Sequence, residues 1–72
     1  MQKTLRELRE ERGWTQAQLA SMIDVAPSTV FNWEAGKFDP RLSQARDLAA
    51  LFEVKLDDLV FPAEENPKKL VA

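Results

Sequence analysis

Residues 15–37, TQAQLASMIDVAPSTVFNWEAGK, read as two short helices joined by a tight turn. The first helix carries apolar side chains at Leu19, Ala20 and Ile23, one face of a 3.6-residue period. A break at Asp24-Val25-Ala26 follows, and Pro27 opens the second helix, where its fixed φ suits the first helical position. The second helix turns Val30 and Trp33 inward, three residues apart, with Trp33 taken as core. Its other face holds Ser28, Phe31 and Asn32, an unusual set for a plain solvent face. A short turn between helices, with hydrogen-bonding side chains near the start of the second, is the geometry that sets a helix into a DNA major groove.

The ends of these helices are marked locally. Thr15 and Gln18 form a capping box, each side chain satisfying a backbone amide that the helix start leaves open. Trp14 is placed to pack on Leu19 across that box. Asp24 stands where the first helix stops, and Asp tolerates the left-handed conformation better than most residues. Ala26 is a poor N-cap, worse than Ser or Thr by about 1 kcal/mol. Ala35-Gly36 terminates the second helix.

Upstream, Thr4 and Glu7 match a second capping box, Leu5 and Leu8 mark a buried stripe, and Gly13 ends the helix. Arg6 and Arg12 read as a solvated face paired with Glu7, Glu10 and Glu11, whereas Arg9 sits at the edge of the apolar stripe. Downstream, Lys37 to Arg41 is a loop with Asp39-Pro40 as its turn signal. A further helix places Leu42, Ala45, Leu48, Ala49 and Phe52 at helical spacing. Val54, Leu56 and Leu59 are expected in a short fifth helix. The pattern predicts an all-α domain of five helices, without strands, over residues 1–61. A flexible tail, rich in proline and charge, is expected over 62–72.

Composition narrows the function. The 72 residues make one small domain; chains of this size bury only about 60% of their unfolded surface. With no Cys and no His, disulfide, thiol and imidazole chemistry are absent, and no metal site or cofactor is expected. Asp57 and Asp58 are adjacent, so on a helix they point about 100° apart and do not converge on a shared proton; an enzyme is not expected. The formal charge of −2 is unevenly spread: residues 1–46 carry seven Lys/Arg against six Asp/Glu, and residues 47–72 carry three against six. That balance neither favours nor excludes a polyanion, since charge acts only over about 8–10 Å in salt. No apolar run nears the ~20 residues of a membrane span and no signal-peptide pattern opens the chain. A soluble, cytoplasmic protein is expected.

Arg9, the TQAQLA segment, the VAPSTVFNWEAGK segment and LAALFEVKLDDL together resemble the XRE-type helix-turn-helix family, the lambda-repressor-like domains of phage repressors and many small bacterial regulators. The resemblance spans residues 4–60. It implies a transcription regulator, with repression the expected sense, that binds double-stranded operator DNA as a homodimer. It implies that Gln16 bonds a backbone phosphate and that Ala26, Pro27, Ser28 and Asn32 face base edges. It also implies that Lys37 and Arg41 grip phosphates, and that Arg9 and Glu34 form a structural ion pair. Phe31 leaves two readings open, a thymine-methyl contact or packing against the loop. The second helix holds no Arg or Lys, the usual partners of guanine, which points to A·T-leaning contacts. Glu53 stands where the family commonly has Gly, and Lys55 where it has a Ser or Thr cap.

Two further expectations concern partners. Leu59-Val60-Phe61 are three consecutive apolar residues, and on a helix they cannot all face its own core. Val60 and Phe61 are therefore candidates for a dimer contact, the alternative being that Phe61 folds back over Phe52 or Trp14. A different class of function is a protein-interaction module of the same fold, such as the antitoxin of a toxin–antitoxin pair, using the C-terminal tail.

Overall fold

Each helix start follows from its sequence. The Glu7 amide donates to Thr4 Oγ1 at 3.1 Å and the Thr4 amide donates to Glu7 Oε1 at 2.8 Å, opening α1 (Leu5–Glu11). The same exchange between Thr15 and Gln18, at 3.0 and 2.8 Å, opens α2 (Gln16–Met22). α3 (Pro27–Ala35) starts on Pro27 with no side-chain cap, and α4 (Leu42–Leu51) starts where Gln44 Oε1 accepts from the Arg41 amide at 2.8 Å. The computed structural model describes residues 2–61; the tail expected over 62–72 lies outside the described residues.

All four α-helices among the described residues close in one way. Gly13, Asp24, Gly36 and Glu53 take positive φ of 71°, 60°, 77° and 57°. The amide after each bonds back five residues: Trp14 to Arg9, Val25 to Ala20, Lys37 to Asn32 and Val54 to Ala49, at 3.0–3.2 Å. This is the Schellman terminator, in which the left-handed residue turns the chain so that a late amide reaches an orphan carbonyl.

The chain is all-α in class but departs from the expected five helices. Residues Leu56–Asp58 make a single 3-10 turn, and β1 (Lys3–Thr4) pairs in parallel with β2 (Leu59–Val60), Lys3 opposite Leu59 and Thr4 opposite Val60. Asp57-Asp58 is poor material for a helix interior, and Val60 and Phe61 have β preference. The pairing satisfies backbone groups that a one-turn helix would leave open. Val60 and Phe61 thus do not lie on a helix, and Phe61 is half-buried against the core.

The core joins Leu5, Leu8, Leu19, Ala20, Val30, Trp33, Leu48, Ala49, Phe52 and Leu59, all buried. Trp14 lies against Phe52 with ring centres 5.5 Å apart. Leu42, expected in this stripe, is 58% exposed at the first residue of α4. No helix among the described residues is long and apolar enough to cross a membrane.

Candidate nucleic-acid interface

Buried Val30 and Trp33 fix the rotation of α3, so its opposite side faces out. Ala26, Pro27, Ser28, Phe31 and Ala35 are exposed there, and Asn32 is half-buried. Phe31 is 51% exposed, a large apolar surface to leave in water beside two hydrogen-bonding side chains. Beyond the left-handed Gly36, the loop carries exposed Lys37, Phe38 and Arg41. Among the described residues neither the Lys37 nor the Arg41 side chain enters a hydrogen bond or ion pair.

α3 is locked to the rest of the fold by Glu34. Arg9 Nε donates to Glu34 Oε2 at 2.7 Å and Arg9 Nη2 to Glu34 Oε1 at 3.0 Å, while Arg9 Nη1 reaches the Trp14 carbonyl at 2.7 Å. The two side chains retain only 11% and 5% exposure. The hydrogen bond to Glu34 raises the Arg9 pKa further, outweighing the opposing effect of burial, so the guanidinium stays charged. Gln16 Nε2 adds a third donor to Glu34, 3.0 Å from Oε1. A carboxylate only accepts, so Glu34 dictates that the Gln16 amide turns its nitrogen inward, leaving the amide oxygen and one N–H for a ligand. Arg6, Arg9, Gln16, Phe31, Glu34 and Ala35 line one open cleft between α1, α2 and α3.

The structure thus brings Gln16, Phe31, Arg9 and Glu34 together, and leaves Lys37 and Arg41 on the neighbouring loop. Val60 and Phe61 belong to the separate β1–β2 end of the chain. Sequence reasoning missed the Gln16–Glu34 bond, which spans 18 positions and has no local signal. It also missed Arg12, whose guanidinium carbon lies 5.5 Å from the Trp14 ring centre and 5.7 Å from that of Phe52. Arg12 Nη2 donates to the Phe52 carbonyl at 3.3 Å, tying the end of α1 to the end of α4. Its place two residues before Trp14 was the available hint.

A family profile described as helix-turn-helix matches residues 5–59. The chain belongs to the helix-turn-helix family, XRE type. The helix-turn-helix unit proper is α2, the Asp24-Val25-Ala26 turn and α3. An uncharacterized HTH-type transcriptional regulator of Archaeoglobus fulgidus is 36% identical over 66 residues, covering 90% of this chain and 94% of that protein. The cryptic phage CTXphi transcriptional repressor RstR of Vibrio cholerae is 34% identical over 62 residues, covering 86% of this chain and 56% of its own length. The HTH-type transcriptional activator BcrR of Enterococcus faecalis is 32% identical over 56 residues, 78% of this chain and 28% of that protein.

Proposed function

We propose that this helix-turn-helix protein is a sequence-specific transcriptional repressor that lays α3 in the major groove of an operator. That it is a DNA-binding regulator and not an enzyme follows from its family. The observation that carries the finer reading is the outer face of α3, where Pro27, Ser28, Phe31 and Asn32 stand beside a loop with two cations that are unpaired among the described residues. Ser28 and Asn32 supply directional contacts to base edges, and Asn suits the paired acceptor and donor of adenine. Phe31 and Ala26 suit thymine methyls. Lys37, Arg41 and Gln16 hold the phosphates. With no cation on α3, the favoured operator is A·T-leaning at the positions this helix touches.

Repression requires only that the operator be occupied, which this unit supplies, and RstR is a relative named for that activity. A single two-turn helix reads few base pairs, so we place two copies on a palindromic site, their α3 helices one duplex turn, ~34 Å, apart. Val60 and Phe61, half-buried in the single chain, and exposed Leu56 are the surface proposed for that pairing.

Selection from a random duplex pool tests the reading. Asn32→Ala and Ser28→Ala should flatten the selected pattern at one or two base pairs, at about 1–3 kcal/mol per good contact. Lys37→Ala and Arg41→Ala should weaken all sequences alike and make the salt dependence shallower. An unchanged pattern for Asn32→Ala would show that the reading face lies elsewhere.

A further inference from the structure

The cleft between α1, α2 and α3 holds a cation that the contacts above leave unused. Its donors are Arg6, Arg9 and Gln16. Arg9 is consumed by Glu34 and the Trp14 carbonyl, and Gln16 spends one N–H on Glu34. Arg6 is different. Its side chain is 68% exposed and bonds only Glu10 among the described residues, Nε to Oε2 at 3.2 Å across one helical turn. An exposed pair of this kind is weakly held, and both terminal nitrogens of Arg6 remain available. A guanidinium whose Nη1/Nη2 edge is open matches the paired oxygens of a phosphate.

Position decides which phosphate. Phe31 belongs at once to the outer face of α3 and to the lining of this cleft. Phe31 therefore joins the proposed reading face of α3 to the wall formed by Arg6 and Gln16. Arg9 already neutralises Glu34 at the cleft floor, so the floor does not repel a phosphate.

We infer that Arg6 and Gln16 together seat one backbone phosphate at the mouth of this cleft, with Glu34 positioning the Gln16 amide and Glu10 competing for Arg6. The inference deepens the DNA-binding reading and rests on it. Glu10 then acts as an internal stand-in for the phosphate, holding Arg6 extended along α1 and lowering affinity for every sequence by the same factor.

The test uses the full chain with two 20-base-pair duplexes, one bearing the selected sequence and one scrambled, across a salt series. Arg6→Ala should weaken both by about two- to fivefold near physiological salt, the scale of an exposed ionic contact. Its slope of log K against log salt should be shallower by about 0.9, one phosphate's worth. Thermal unfolding should not move, because Arg6 lies in solvent. Glu10→Gln should tighten both duplexes, and that gain should shrink in the Arg6→Ala background. If the wild type binds with a salt-dependent slope and Asn32→Ala alters the selected pattern, while Arg6→Ala leaves affinity and slope unchanged, the phosphate seat is overturned and the DNA reading stands. If the wild type binds neither duplex, both fall together.

Discussion

Glu34 accepts three hydrogen bonds from two side chains, two from Arg9 and one from Gln16. Removing its carboxylate strands the Arg9 charge away from water, so Glu34→Ala should cost about 3–5 kcal/mol, the range for breaking a buried pair. A chemical-denaturation midpoint reads this directly, and a loss under about 1 kcal/mol would place the pair among surface bridges. Domains of this size often have little more than ~5 kcal/mol in total, so partial unfolding at room temperature is within the expected outcome. Glu53 offers the opposite sign. It holds φ of 57° at a helix terminator where Gly13 and Gly36 serve two of the other three. A left-handed non-glycine residue costs about 1–3 kcal/mol, and glycine gives part of that back as unfolded-state freedom. Glu53→Gly should therefore stabilise by about 0.5–1 kcal/mol in thermal unfolding. Asp24→Gly should gain less, since Asp tolerates this conformation better than Glu.

At the scale of elements, one of the two capping boxes opened by Thr, that of Thr4 and Glu7, also titrates. The Thr4 amide, then the Thr4 hydroxyl, hold the Glu7 carboxyl below its ordinary pKa of 4.5. A carboxyl depressed in the folded state contributes stability above its ordinary value and loses it as pH falls through the lower folded one. Glu7→Gln keeps a cap that does not titrate, so its stability should fall less steeply than the wild type's below about pH 5, by urea unfolding at stepped pH. Such boxes explain why α1, α2 and the turn to α3 were readable in advance: Thr4-Glu7, Thr15-Gln18, Pro27 and Gly36 each act within four residues of themselves. What was not readable depends on distant partners. Leu56 and Leu59 fit helical spacing as well as they fit a turn and strand, and the choice was made by Lys3 and Thr4 at the other end of the chain. Leu42 kept the helical period of α4, but packing leaves that helix's first residue bare. The outer face of α3 was legible because its buried side was; the Gln16–Glu34 bond and the stacking of Arg12 on Trp14 and Phe52 were not, since no local pattern encodes them.

For the molecule as a whole, association with DNA and with a second copy should go together. Sedimentation with and without a palindromic duplex should give two chains per duplex, and Leu56→Lys should reduce that ratio without loss of the fold, because Leu56 is exposed. A wild type that stays monomeric on a single half-site would end the dimer proposal. The parallel pair β1–β2 carries a consequence of another sort, for synthesis on the ribosome. Lys3 and Thr4 are made 56 positions ahead of Leu59 and Val60, a lag of about 3–11 s at ordinary translation rates. Throughout that interval Lys3 and Thr4 have no strand to zip onto, and buried Leu59 is missing from the cluster that holds Leu5 and Leu8. The helix-turn-helix unit is thus translated whole before β2 exists, and the pairing that joins the two ends of the described fold is among the last contacts the chain can make.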